Sequence, residues 1–345
     1  MVALTLSREL KADLYTTNID WPKVKKMGFE DVVIKTIGRV PIHSPLRQQL
    51  TLAKFRRLNL ARDYDFFIIA GDWAVSAAVN NRPNLWYVHS MMKEIWDLAG
   101  VTKKNNVPWL FRPAFDLWAG FNRRLVVEYV KSVDKVIVNS LVTKKRVSDF
   151  IGRDAAVIYP PVVVEKYHYA QNENFWLSVN RLIDHKKVEI QLEAFSRLPG
   201  EHLVIVGSYE RARHFTKYVK HLKKLKPDNV EFLSWIDQSA LIDLYSKCKG
   251  FITTSDNEDF GLTAVEALAS GKPVIAPNQG GYRESVVDGK CGILIDNINS
   301  DSLVGAIKQI DGKIASYRAA SLSQARQFDV KSFIYQIKRE ISQAI

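Results

Sequence analysis

Short apolar runs separated by amphipathic stretches recur along the whole chain, and that alternation predicts strands and helices in turn. In the first half, the runs at 65–70, 85–88, 135–139 and 155–158 read as strands. In the second half, strands are predicted at FWLSVNRL (175–182), LVIVGS (203–208), VEFLSW (230–235), GFITTS (250–255), PVIAP (273–277) and GILID (292–296). Helical spacing of apolar positions covers 3–10, 187–198, 210–225, 239–247, 262–270 and 330–344, and the first of these leads into a strand-like stretch at 12–16. Such alternation implies parallel sheets flanked by helices, an α/β architecture. YPPVV at 159–163 carries two prolines and reads as a stiff linker between two domains.

A length of 345 residues suits two domains of ordinary size. With 47% hydrophobic and 25% charged residues the composition is globular rather than disordered. No apolar run reaches the roughly 18 to 20 residues of a membrane span. The opening MVALTLSREL lacks a cationic flank, a long apolar stretch and a small-residue cleavage site, so it is not read as a signal peptide. Cys248 and Cys291 lie far apart and give neither a disulfide framework nor a metal cluster. A cytoplasmic protein is expected.

Charge changes the picture more. The net charge is +12, and residues 1–165 hold 25 basic against 16 acidic side chains. A basic half attracts an anionic membrane face or a phosphate-bearing acceptor. No helix-turn-helix, zinc-finger or RNA-binding signature accompanies it, so nucleic acid is not the expected partner. VPWLFRPAFDLWAGFNRRL (107–125) interleaves Trp109, Phe111, Phe115, Trp118 and Phe121 with Arg112, Arg123 and Arg124. At helical spacing most aromatic stripes are core; the alternative is a surface that meets the membrane.

The candidate chemistry concentrates in 253–296, TTSDNEDFGLTAVEALASGKPVIAPNQGGYRESVVDGKCGILID. Glu258 and Glu266 bracket the loop DFGL, which runs into a helix of small and apolar residues. A helix apolar on all sides is buried, and a buried glutamate needs hydrogen-bond donors. A ribose diol would supply two; a neighbouring turn is the plainer alternative. The backbone N–H groups of Phe260, Gly261 and Leu262 open this helix, where unpaired donors favour an anion such as a diphosphate. Gly261 lets backbone approach a ligand closely. Gly280 and Gly281 follow PVIAP and either admit a phosphate or base or form an ordinary turn. Glu284 sits where it either caps a helix or meets a ligand, and Glu258 faces either a sugar or solvent. LVIVGSYE (203–210) lacks the G-x-G-x-x-G fingerprint, which counts against a nicotinamide enzyme.

This segment resembles the donor site of the retaining glycosyltransferases of family four, whose GT-B fold sets two Rossmann-like domains facing a central cleft. The resemblance extends over nearly the whole chain. SVNRLIDHKKVEIQLEAF (178–195) resembles the family's Arg-x4-Lys segment, which implies that Arg181 and Lys186 neutralise the leaving diphosphate. NLWYVHSMMKEIWDL (84–98) is similar to a string of one mannosyltransferase branch and implies that His89 bonds the transferred sugar. Together these imply His89, Glu258, Arg181 and Lys186 as catalytic residues. Phe260, Gly261, Leu262, Glu266, Gly280 and Gly281 would bind the donor, with GDP-mannose favoured and neither metal nor further cofactor required.

The implied activity is metal-independent, retaining hexosyl transfer to a glycan or lipid-linked acceptor, at the inner face of a membrane. The alternative is a non-catalytic nucleotide-sugar-binding partner subunit. The implied domains are 1–160 on the acceptor side, 161–328 on the donor side, and a tail, 329–345, returning to the first. Relatives precede the helix at 3–10 with a strand and a glycine-rich loop, and neither stands ahead of it here. Either a late start or a reduced first domain is expected. Because a first strand is central in a Rossmann-type sheet, the expected consequence is a gap flanked by unpaired backbone.

Overall fold

Strands that are apolar on both faces need helices on both sides of their sheet. The computed structural model, which describes residues 1–41, 46–208, 213–234 and 236–344, meets that need separately in two units. One comprises Met1–Tyr159 with Phe333–Ile345, and the other Pro160–Ser332.

In the first unit β1 (Leu14–Thr16) and β2 (Ile34–Thr36) form a parallel pair. A second parallel sheet runs in the order β3 (Phe67–Ala70), β4 (Asn84–Val88), β5 (Lys135–Val138) and β6 (Ala156–Val157). β4 is buried throughout, and Trp86 and Val88 join Val126, Val138 and Val147 in one core. The C-terminal helix Val330–Ser342 contributes to this unit from Phe333 onward. The Phe333 ring meets Tyr87 edge-on at 5.8 Å, and Lys135 Nζ lies 3.1 Å from Glu340 Oε2. The gap expected in the first sheet is present: β1 and β3 do not pair, and a cavity of about 1020 Å³ is lined by both.

The second unit holds β7 (Trp176–Arg181), β8 (Leu203–Ser208), β9 (Val230–Leu233), β10 (Phe251–Ile252), β11 (Val274–Pro277) and β12 (Gly292–Ile295). They form one parallel sheet in the order β12-β11-β10-β7-β8-β9, the doubly wound arrangement in which the first strand of the unit is central. Side chains alternate between its faces. Trp176, Ile252 and Ile275 pack with the helices Val188–Ser196 and Ser300–Asp311, while Leu177, Phe251 and Val274 pack with the helix Leu262–Ala269. This division matches the strand–helix pattern of the sequence closely.

Three expectations shift. GFITTS yields strand only at Phe251–Ile252, because Thr253 and Thr254 spend their hydroxyls on Tyr282 and on the carbonyls of Lys186 and Lys187. The strand expected at 12–16 forms only over Leu14–Thr16. The aromatic stripe is divided: Phe115 and Trp118 are half-buried against the core, whereas Trp109, Phe111 and Phe121 face outward. Positions 209–212 of LVIVGSYE and of the helix expected at 210–225, and Trp235 of VEFLSW, lie outside the described residues.

Candidate functional site

In a doubly wound sheet the crevice for ligands opens beyond the carboxyl ends of the strands, where the strand order reverses. In the second unit that point lies between β7 and β10. Two of the predicted residues, Lys186 and Glu258, meet there. β7 ends at Arg181, and a short turn places Lys186 ahead of the helix Val188–Ser196. From the loop after β10, Glu258 meets it: Lys186 Nζ lies 2.5 Å from Glu258 Oε2, with side chains 13% and 24% exposed. Ser255 Oγ donates a second bond to the same oxygen at 3.0 Å. Neither group is sealed from solvent, so a ligand can reach the pair.

The two loops are clamped to each other. Lys187 pairs with Asp256, which also accepts from Gln279 Nε2 at 2.7 Å. The Asp256 N–H donates to the His185 carbonyl at 2.9 Å, and Thr254 Oγ1 donates to the carbonyls of Lys186 and Lys187 at 2.8 and 2.9 Å. Lys187 and Asn257 hold left-handed backbone, with φ of 47° and 57°. A side chain in that region costs about 1–2 kcal/mol, and such strain gathers at functional sites. Arg181 is exposed, and its side chain makes no hydrogen bond or ion pair among the described residues. Its charge is available to an incoming anion.

Phe260, Gly261 and Leu262 lead into the helix Leu262–Ala269, which no side chain caps. Its opening N–H groups and the helix dipole favour negative charge at that end. The glycines have a role that sequence alone did not assign. A Cβ on Gly261, which has φ 86°, would strike the Tyr282 ring; one on Gly280 would strike the Glu258 carbonyl; one on Gly281 would overlap Phe260. The close approach they permit is therefore between loops of the protein. Tyr282, held by Thr253 Oγ1 at 2.8 Å, is the post around which the loops fold.

Glu266 lies farther along the same helix. Tyr245 OH donates to its Oε2 at 2.9 Å, and Tyr167 supplies a second bond. Burial raises the pKa of the carboxyl, and the bonds from the two phenols offset only part of that rise. The donors that the buried glutamate requires are thus in part the protein's own. Tyr245 and Tyr167 come from other elements, and no local pattern in the sequence marks them. Glu284 stands in the short helix Tyr282–Ser285.

His89 belongs to the first unit, at the end of β4. Its ring sits 5.0 Å from that of Tyr87, and burial, with the chain's α-amino group, lowers its pKa to about 4. It is a neutral imidazole at pH 7, able to accept or donate a hydrogen bond to a hydroxyl. Among the described residues no group of three His, Cys, Asp or Glu side chains is placed to hold a metal.

Residues 164–312 match the family model described as Glycosyl transferases group 1. The alpha-1,3/1,6-mannosyltransferase ALG2 of Dictyostelium discoideum is 27% identical over 298 residues, 73% of this chain and 68% of that protein. The D-inositol 3-phosphate glycosyltransferase of Mycolicibacterium smegmatis is 29% identical over 220 residues, 58% of this chain and 51% of that protein. Among solved structures, HepE of Anabaena in complex with UDP and glucose superposes with a TM-score of 0.77 at 21% identity, covering 98% of this chain and 94% of that one. Sucrose-phosphate synthase of Thermosynechococcus elongatus gives 0.76 at 19% identity, covering 99% and 91%. The fold is GT-B, and the chain resembles the family-four glycosyltransferases, nearest their mannosyltransferase branch.

Proposed function

We propose that this protein is a retaining mannosyltransferase that moves mannose from GDP-mannose to a hydroxyl of a glycan or lipid-linked glycan. The observation that carries the reading is the Lys186–Glu258 pair at the switch point of the second unit, beside the uncapped start of helix Leu262–Ala269. A diphosphate there is met by Lys186, the free charge of Arg181 and backbone N–H groups. Charge-assisted bonds of this kind stabilise a phosphate leaving group more as its charge grows. When Lys186 turns to the diphosphate, Glu258 is released to accept from the sugar hydroxyls. Glu266 then offers its remaining lone pairs to the nucleoside.

The transfer needs no protein nucleophile. The acceptor oxygen bonds to the anomeric carbon on the face from which the diphosphate departs. The carbon–oxygen bond to the diphosphate breaks with its electron pair, and the departing phosphate oxygen takes the acceptor's proton. A mannosyl donor is favoured by the His89 string and by the mannosyltransferase relatives. An acceptor at a membrane face is the reading favoured by the exposed Trp109, Leu110, Phe111, Leu117 and Phe121 beside exposed Lys104 and Arg124.

Thermal shift with GDP, UDP and ADP, followed by product analysis with GDP-mannose and a lipid-diphosphate oligosaccharide, tests this directly. Ligand at 100 times its Kd stabilises by about 2.7 kcal/mol, which shifts Tm by several degrees. GDP is expected to give the largest shift. Glu258→Gln and Lys186→Ala should each cut transfer at least a hundredfold while melting cooperatively. Normal turnover in both variants would sink the site assignment, and binding without any transfer would favour a partner-subunit role.

A further inference from the structure

Glu258 and Asp256 are each paired with a lysine, whereas no cation is paired with Glu266 among the described residues. The Glu266 carboxyl is enclosed but not sealed, since part of the residue stays exposed. A carboxylate in such surroundings persists only when hydrogen-bond donors hold it. Two phenols do so. Tyr245, on the helix Gln238–Lys247, donates to Oε2 at 2.9 Å, and Tyr167, which follows the turn Val164–Lys166, supplies the second bond.

The phenols are themselves fixed. Tyr245 is fully buried, and its ring lies 5.9 Å from those of both Tyr167 and Phe251. Gln238 bonds Tyr167 from the start of the helix that carries Tyr245. Burial raises the pKa of both phenols, so at neutral pH they are donors and not charges. These two are the titratable groups that act on the Glu266 carboxyl. Other groups near the helix Leu262–Ala269 are engaged elsewhere. Tyr282 bonds Thr253, Arg283 bonds Asn278, Arg318 of the helix Ile314–Arg326 covers the Tyr169 ring, and the Cys248 thiol donates to the Tyr245 carbonyl.

We infer that Tyr167 and Tyr245 are positioning residues that make this site select a ribonucleotide over its deoxy form. They hold Glu266 as an oriented carboxylate, and its remaining lone pairs accept from the 2′- and 3′-hydroxyls of the ribose. The inference rests on the donor reading above, though not on which base the donor carries. A ligand without those hydroxyls leaves a charged oxygen unpaired, and a site built to bond a hydroxyl discriminates strongly against the analogue that lacks it. A protonated carboxyl donates as well as accepts, so it no longer requires two donors. Preference for the ribose is therefore full above the pKa of Glu266 and is lost as the pH falls through it. Removing either phenol leaves burial less opposed, which moves that loss to higher pH.

The experiment takes whichever of GDP and UDP the full chain binds more tightly, with its 2′,3′-dideoxy form, and measures both Kd values by calorimetry from pH 5 to 8. Titration of the phosphates is common to the two ligands and cancels in their ratio. The wild type should prefer the ribonucleotide at least tenfold at pH 7.5. Tyr167→Phe and Tyr245→Phe should each lose that preference at a pH about one unit higher than the wild type does, while melting cooperatively. Adding Glu266→Gln to Tyr245→Phe should remove the pH dependence, because an amide does not ionise there. Phenylalanine variants that follow the wild-type course, a pH dependence that survives Glu266→Gln, or tight binding with no preference for the ribose would each overturn the inference while leaving the donor site in place. Failure of both diphosphates to bind the wild type would remove the donor reading, and this inference with it.

Discussion

His89 shows how one side chain's surroundings fix its chemistry. Burial disfavours its cation, and the chain's α-amino group adds to that, so its pKa falls to about 4 from the ordinary 6.5. The unfolded chain therefore binds more protons between those values. Stability held by the neutral ring above pH 6.5 is lost as the pH falls towards 4. In solution spectra, His89, identified by its loss in His89→Gln, should not titrate between pH 8 and 5. A titration near 6.5 would show that the ring is exposed or ion-paired. Lys186 and Glu258 present a different case, since each satisfies the other while neither is sealed from water. Their pairing could not be read from positions 72 residues apart; only the likeness of each segment to a known motif named both.

At the scale of elements, the fold was legible wherever period and punctuation agreed. The β7, β8, β11 and β12 strands and the helices 188–196, 238–247 and 262–269 fall within a few residues of their predicted bounds. The β10 strand was overextended because hydroxyl-bearing β-branched residues suit a strand and a bonded loop equally well. Thr253 and Thr254 are committed to side-chain bonds that no local pattern displays. The aromatic stripe failed for a related reason: its spacing identifies a helix face but not what covers it. Glycines were the hardest to assign, since flexibility, a turn and close packing all call for the same residue. Here packing decides. Gly281→Ala must push the 259–260 backbone aside, at a cost of about 1–3 kcal/mol. Because that backbone joins Glu258 to the helix start, nucleotide affinity should fall at least tenfold. Titration of the variant with GDP checks this, and an unchanged Kd would mean that the loop adapts.

For the molecule as a whole, charge and exposed apolar surface point the same way. The 1–165 segment holds the larger part of the net +12, with 25 basic against 16 acidic side chains. Its most exposed large apolar residues gather on the turn Trp109–Phe111 and the following helix: Trp109 is 76% and Leu117 77% exposed. Apolar side chains with basic neighbours match the outer layer of an anionic bilayer, where rings enter the acyl boundary and cations meet headgroup phosphates. Not every cation there is available: Arg123 donates to the Ile95 carbonyl and covers the Trp96 ring, and Lys103 pairs with Asp116 at 3.0 Å. Lys104 and Arg124 remain exposed. No helix among the described residues is long and apolar enough to cross a membrane, so binding through this surface would be peripheral and weakened by salt. The protein should float with vesicles containing phosphatidylglycerol, and less with phosphatidylcholine alone. Replacing Trp109 and Phe111 by Ser should release it and leave Tm within a degree or two, because neither ring is buried. Lys104→Glu with Arg124→Glu should do the same and remove the salt dependence. If the serine variant floats as the wild type does, the contact lies elsewhere; if the wild type never floats at low salt, the acceptor is delivered away from a membrane surface.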